Sequence, residues 1–418
     1  MGCTSGKTQV HISPNRRRLS LGELGPGNDH TYADVTEEDR SLFMTLSQKQ
    51  IMEFVEDGDD FSRKYSIGSE TDEELHHVQS FTSKSVSLHG EQFNPEREGI
   101  GFACKKGLKP EAPNQDSFFI MKVADKYSVY GVFDGHGRKG HDVSNFVKEN
   151  LPKILLSQES LQEDPETALA RTFDKTQYLI EKATAMKQID ASRSGTTCSV
   201  VLHDHKKRML YVAHVGDSRV VLGKSSPLKD GTKAWASVDL TIDHKPDLPE
   251  ERKRIEKNGG MVVFDGGWNY RVYAKGKKDS RGKRYPGLNM SRAMGDLSGF
   301  HDAGISATPD VSKNLVAVHP CPSTAPLQNG RRPSTISTSS HPSVSSHTID
   351  ESDKLLCLCS DGVWEFVTSE QAIKFISKFS KDKVETAAEQ LASVAWNEWI
   401  KEMDGKVVDD ITALVIHL

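Results

Sequence analysis

Between residues 117 and 222 the apolar residues follow an order that few architectures accept: strand-like runs, then two helical patterns, then strand-like runs again in direct succession. Ser117-Phe-Phe-Ile-Met-Lys-Val123 and Ser128-Val-Tyr-Gly-Val-Phe133 are short and rich in β-formers, and their proximity predicts a hairpin. Val143, Phe146, Val147, Leu151, Ile154 and Leu155 mark one helix, and Leu169, Phe173 and Leu179 mark a second from about Pro165 to Met186. Thr197-Cys-Ser-Val-Val-Leu202, Met209-Leu-Tyr-Val-Ala213 and Arg219-Val-Val-Leu222 then follow with no helix between them. This is not the strict strand-helix alternation of a parallel sheet, so it favours antiparallel sheets with helices on their outer faces.

Composition narrows the class. The 418 residues would fit two or three average domains, although enzymes with large sheets often use about 250 residues or more as one unit. Hydrophobic residues make up 36% and charged residues 27%, and mean hydropathy is -0.54. That is too polar for one compact globule and implies solvated tails or loops around an ordinary core. The net charge of -5, from 54 basic and 59 acidic residues, argues against a nucleic-acid binder. Six cysteines (Cys3, Cys104, Cys198, Cys321, Cys357 and Cys359) form no disulfide framework, and no apolar run reaches membrane-spanning length, which points to an intracellular, reducing compartment. Cys357 and Cys359 lie two apart in a strand pattern and so share one face, a matter of packing rather than zinc binding.

The chain divides into unlike pieces. Met1-Gly-Cys-Thr-Ser-Gly-Lys7 resembles an acylation signal, with Gly2 as myristate acceptor and Cys3 as palmitate acceptor, although the expected hydroxyl position holds Gly6 and Ser5 stands one place early. Arg16-Arg-Arg-Leu-Ser20 would favour an anionic leaflet and places Ser20 in a site suited to a basic-directed kinase. Residues 1–35 read as a disordered tail. Thr36-Glu-Glu-Asp39 looks like an N-cap before Leu42, Phe43, Leu46, Ile51, Phe54 and Val55 at helical spacing. This helix and an acidic linker over 57–92 complete an N-terminal region of 36–94, ahead of the main domain over 95–418. Within that domain Pro249 opens a helix that closes at Gly259-Gly260, residues 264–290 read as a mobile flap, and residues 321–352 as a Ser/Pro-rich disordered insertion. Lys354-Leu-Leu-Cys-Leu-Cys-Ser360 reads as a buried strand, followed by helices over about 369–379 and 384–402 and a last strand from Ile411.

Carboxylates recur at strand ends. Tyr130-Gly-Val-Phe-Asp-Gly-His-Gly137 runs from an apolar strand into Asp134, and Gly135 would let the backbone turn so that its carbonyl reaches whatever the carboxylate holds. Alone, Asp-Gly is above all a turn signal. Asp361-Gly362 follows the strand ending at Ser360, Asp409-Asp410 precedes Ile411, Asn114-Gln-Asp116 heads Ser117-Phe-Phe-Ile, and Val215-Gly-Asp217 follows Tyr211-Val-Ala. Five gathered carboxylates repel one another unless hard cations hold them, and without a zinc-like Cys/His set the inference is Mg²⁺ or Mn²⁺.

Seven motifs in order carry a resemblance: Asn114-Gln-Asp-Ser117, Val132-Phe-Asp-Gly-His-Gly137, Ser194-Gly-Thr-Thr197, Val215-Gly-Asp-Ser-Arg219, Ser291-Arg-Ala-Met-Gly-Asp296, Ser360-Asp-Gly-Val-Trp364 and Asp409-Asp-Ile-Thr412. Together they resemble the type 2C metal-dependent protein serine/threonine phosphatases. The resemblance implies an α+β fold, a four-layer α-β-β-α sandwich of two antiparallel sheets flanked by helices, with the site in a cleft at one end. It implies hydrolysis of phosphoserine and phosphothreonine in proteins by a hydroxide bridging two Mg²⁺ or Mn²⁺ ions. On matching positions Asp134 would bridge the ions, Gly135 would give its carbonyl to one, Asp361 and Asp409 would hold the other, and Asp116 would act through water. A looser third ion would use Asp217 with Asp361 and Glu365. The family's animal members carry Glu where Gln115 stands, which puts the second metal's affinity in question. His136 would protonate the leaving oxygen. For the phosphate-binding base, Lys105, Lys106 and Lys109 are candidates and Lys106 is favoured. Asp296 and Arg292 would brace the flap and strand ends, the hydroxyls of Ser194–Thr197 would be structural, and Trp364 would be core. Expected partners are phosphoprotein substrates and, through acylation, a membrane surface; the expected state is a monomer, at the cytoplasmic face of a membrane if lipidated and otherwise in the cytosol. The rival reading is a phosphatase-like pseudoenzyme that binds or scaffolds partners, motivated by Gln115 and the long appendages.

Overall fold

The computed structural model describes residues 64–71, 80–90, 92–109, 113–123, 126–266, 269–309 and 345–418. Gly2, Cys3, Ser20 and the helix expected over 36–56 lie outside them.

Two large sheets face each other, and every strand pair within them is antiparallel. The first runs Ser345–Thr348, Met209–Val215, Cys198–Asp204, Tyr127–His136, Asp116–Val123, Lys64–Glu70, Ser85–Gly90, with the short pair Gly195–Thr196 and Met294–Gly295 branching from it. The second runs Lys233–Asp239, Arg219–Pro227, Asp353–Cys359, Ile411–His417, Ile100–Lys105. Strand alternation sorts the core into layers. Phe118 and Ile120 point between the sheets with Val201, Leu356, Leu358 and Leu414, whereas Phe119 and Met121 face out under helices Gly140–Leu156 and Pro165–Ala185. Cys357 and Cys359 face the other way, under Ser369–Ile376 and Val384–Glu402, where both are fully buried. Burying a side chain the size of Phe118 contributes about 2–3 kcal/mol.

Local signals set the helix ends. Asp164 accepts from the Thr167 N–H and Pro165 takes the first helical position, where no N–H is needed. Thr368 and Gln371 form a reciprocal capping box for Ser369–Ile376.

Three expectations are corrected. The stretch 57–92, expected as linker, contains Lys64–Glu70 and Ser85–Gly90, which extend the first sheet; among the described residues there only Tyr65 and Ile67 are buried apolar side chains, too few to signal a strand. The expected flap supplies two strands, Tyr270–Ala274 and Pro286–Leu288, that join Gly260–Phe264 ahead of it in a small sheet over its own core of Ile255, Val272, Ala274, Tyr285 and Met290. The expected insertion ends early, because Ser345–Thr348 pairs with Met209–Val215 through backbone groups that its polar side chains do not announce.

Residues 80–90 cross between the sheets. The Phe81 N–H donates to the Lys106 carbonyl at 2.8 Å and the Lys84 N–H to the Cys104 carbonyl at 2.8 Å, while Ser85 already pairs with Glu70 in the opposite sheet.

Candidate active site

At one end of the sandwich both sheets deliver acidic residues. Asp116 opens one strand and lies directly across from Asp134 on the next, a like-charge pairing that sheets avoid without compensation. Asp217 follows Met209–Val215, Asp361 begins the short helix Asp361–Trp364, and Asp409 precedes Ile411–His417. Burial holds the Asp134 carboxyl well above the usual range, and Asp116, Asp361, Asp409 and Asp217 add to the shift by repulsion, so these side chains occupy one electrostatic site. Asp361 is raised in the same way, by burial and then by Asp217 and Asp409. Asp116 is pushed up to about 7, by burial first and Asp410 second, although Ser360 donates to its Oδ2 at 2.8 Å.

Backbone contacts hold these groups in place. The Asp134 N–H donates to Thr197 Oγ1 at 2.9 Å, and Thr197 Oγ1 is 2.7 Å from Ser218 Oγ, which ties the Thr197 hydroxyl to the turn carrying Asp217. Gly135 does not turn the chain. The strand continues through His136, and positive φ first appears at Gly137. Gly135 is required for closeness instead: a Cβ there would lie 2.4 Å from the Gly140 carbonyl oxygen and 2.6 Å from that of Gln115. Asp410 is a staple between sheets, accepting from the Gly107 N–H at 2.7 Å and the Gln115 N–H at 2.8 Å.

His136 and Asp296 form a pair, Nε2 to Oδ2, at 2.6 Å. Burial pulls the imidazole's pKa down, but the Asp296 carboxylate outweighs it and the net shift is upward. Asp296 sits in the left-handed region at φ 45, which Asp tolerates better than most residues. Gly195 makes room for it, since a Cβ there would stand 2.2 Å from Asp296 Oδ2.

A family model described as Protein phosphatase 2C matches residues 109–401. Probable protein phosphatase 2C 48 of Oryza sativa subsp. japonica is 32% identical over 305 residues, covering 68% of this chain and 74% of the relative. The chain belongs to the protein phosphatase 2C family. Probable protein phosphatase 2C 72 of Arabidopsis thaliana is 28% identical over 365 residues, covering 82% of this chain and 94% of the relative. Among solved structures, a serine-threonine phosphatase 2C from Toxoplasma gondii has the same fold, with a TM-score of 0.58 at 20% identity, over 76% of this chain and 94% of that one. The α+β sandwich and the assignment as a protein serine/threonine phosphatase follow from these findings.

The donor set of this phosphatase fits a hard divalent cation. Among the described residues no three carboxylate, imidazole or thiol groups yet converge as a formed ligand set. However, Asp116 Oδ1, Asp217 Oδ1 and Asp361 Oδ1 are buried with no hydrogen-bond partner, and all are the oxygen ligands that Mg²⁺ and Mn²⁺ take. Among the described residues Lys109 pairs with Asp409 and Lys245 with Asp217, which brings two ammonium groups onto carboxylates of the cluster. Glu365 lies in the field of Lys245 and Asp217, its carboxyl raised chiefly by burial.

The favoured base, Lys106, is placed differently from expectation. Its ammonium donates to the Lys109 carbonyl at 2.7 Å and Lys105 reaches Glu389 at 2.6 Å, whereas Lys109 pairs with Asp409 of the acidic cluster. Loop conformation decides this, and spacing does not reveal it. Gln115 donates its side-chain amide to the Gly137 carbonyl at 2.8 Å, bracing the turn after His136. Arg292 binds Glu251 at 2.5 Å, as expected of a brace, and Trp364 is buried, its Nε1 donating to the Cys359 carbonyl at 2.8 Å. Sequence reading missed Lys84, whose Nζ donates to the Asp116 carbonyl at 2.5 Å and lies 3.3 Å from both the Asn114 carbonyl and Ser117 Oγ. It missed Asp410 as a staple as well. Neither carries a local signal.

Proposed function

We propose that the chain hydrolyses phosphoserine and phosphothreonine in proteins with Mg²⁺ or Mn²⁺ held by Asp134, Asp361, Asp409 and the Gly135 carbonyl, with Asp116 reaching the site through water and Asp217 serving a weaker third ion. When bound, such ions would acidify a water and screen the phosphoryl oxygens. The observation that carries this reading is the gathering of Asp134, Asp116, Asp361, Asp409 and Asp217 at one end of the sandwich, a mutual repulsion that Lys109 and Lys245 offset only in part and that divalent cations would offset further. His136, fixed through Nε2 by Asp296, leaves Nδ1 with no partner, and that nitrogen would deliver a proton to the departing serine or threonine oxygen. Lys109 rather than Lys106 would meet the phosphate, because its ammonium stands at the acidic cluster beside Asp409 and would be released to an anion when cations take that carboxylate.

The test is turnover of a phosphothreonine peptide by the whole chain with Mn²⁺, with chelator, and as Asp134→Ala. Activity that needs the ion and drops at least about a thousandfold in the variant supports the reading; equal activity in both refutes it. A folded protein inert with Mn²⁺ would favour the scaffold reading instead. We further propose membrane tethering through acylation of Gly2 and Cys3, supported by their pattern and by Arg16–Arg18. Gly2→Ala should move the protein from the particulate to the soluble fraction, and an unchanged distribution counts against it.

A further inference from the structure

Residues 275–284 reverse the charge balance of the chain. In a protein of net charge -5, this stretch holds Lys275, Lys277, Lys278, Arg281, Lys283 and Arg284 against one acid, Asp279. Lys277 is committed to Asp302. The other five are exposed and have no ion-pair partner among the described residues.

The loop is built and anchored. Asp279 Oδ1 accepts the Arg281 N–H at 3.0 Å and the Lys283 N–H at 2.8 Å, and the Asp279 N–H donates to the Lys283 carbonyl at 2.8 Å, closing the tip on itself. The second oxygen of Asp279 binds Arg193 Nη1 at 3.1 Å, and the Arg193 guanidinium also lies over the Tyr285 ring at 5.1 Å. Arg193 leads directly into Ser194 and Gly195, and Gly195 pairs with His136 in the sheet. One ion pair and two residues of chain therefore connect the basic loop to the backbone that carries the imidazole.

We propose that this loop is a docking surface for acidic residues flanking the phosphoserine or phosphothreonine of the substrate, so that the enzyme favours acid-rich phosphosites. The proposal rests on the phosphatase reading. An extended peptide advances about 3.3 Å per residue, so acidic side chains a few positions from the phosphoresidue fall within reach of a loop anchored beside His136. Exposed charge pairs are individually weak, and three or more acting together change selectivity mainly through KM and in a salt-dependent way.

The experiment measures kcat/KM of the full chain on phosphothreonine peptides flanked by glutamates or by neutral residues on either side, with p-nitrophenyl phosphate as a substrate too small to reach the loop. The comparison variant is Lys278→Glu with Arg281→Glu and Lys283→Glu. Wild type should favour the acidic peptide roughly tenfold at low salt, mostly in KM. The triple variant should lose or invert that preference and keep its p-nitrophenyl phosphate rate. Binding of the same peptides to Asp134→Ala, followed by fluorescence polarisation, should show the same ranking; it tests docking without turnover, so a failed phosphatase reading is told apart from a failed docking surface. Equal kcat/KM for both peptides, or a preference that survives the triple reversal, overturns the proposal. So does a triple variant that loses binding to phosphatidylserine vesicles while its peptide preference stays intact, since the loop would then face a membrane.

Discussion

With divalent ions chelated, Asp116→Asn should stabilise the fold at alkaline pH while removing function. The Asp116 carboxyl moves from 3.8 to about 7 in the folded chain. The sign follows from linkage. Well below pH 4 the group is neutral in both folded and unfolded states and costs nothing; well above pH 7 it is ionised in both, and the folded state carries the whole penalty. Its contribution to stability is thus lost as pH rises from about 4 to 7. The difference of 3.2 units would be about 4 kcal/mol at most, and since Asp410 and Asp409 share the repulsion, about 2 kcal/mol is the value to expect on substitution. Asparagine keeps an acceptor for Ser360 and replaces the unpartnered Oδ1 with a donor. For about 300 ordered residues the unfolding entropy is near 0.6 kcal/mol/K, so the melting temperature should rise by about 3 °C. The assay is calorimetry in chelator at pH 6 and pH 8, then with excess Mn²⁺. Wild type should lose stability from pH 6 to pH 8, the variant should lose less, and Mn²⁺ should favour wild type. A variant that melts at or below wild type at pH 8 in chelator refutes the argument.

Two further outcomes follow from named contacts. Asp296→Asn removes the carboxylate that raises the His136 pKa, so the alkaline limb of the kcat profile should move to lower pH, with a larger rate loss at pH 8 than at pH 6; parallel profiles would show that Asp296 does not set the proton donor. Lys84→Met leaves the Asp116 carbonyl without its buried donor and should cost about 1–3 kcal/mol, read as a lower urea midpoint at unchanged m-value.

What the sequence disclosed followed from apolar density. Strands such as Asp116–Val123 and Asp353–Cys359 are buried on both faces, so their runs are nearly continuous, and the acidic residues at their ends were legible with them. Lys64–Glu70 and Ser345–Thr348 lie near or at the sheet edge and join it through backbone bonds, and so were not legible. Asp409 and Asp410 are adjacent and chemically identical; only the geometry shows one facing Lys109 and the other accepting two N–H groups. Lys106 against Lys109 was undecidable for the same reason.

The final strand, Ile411–His417, lies inside the second sheet, paired on one side with Asp353–Cys359 and on the other with Ile100–Lys105. During synthesis from the N-terminus these two partners wait, with the facing backbone groups of Asp353–Cys359 and Ile100–Lys105 unpaired, until residues 411–417 leave the ribosome. Asp409 arrives with that strand. A nascent chain stopped short of residue 409 therefore lacks both the strand that joins Asp353–Cys359 to Ile100–Lys105 and one carboxylate of the acidic cluster.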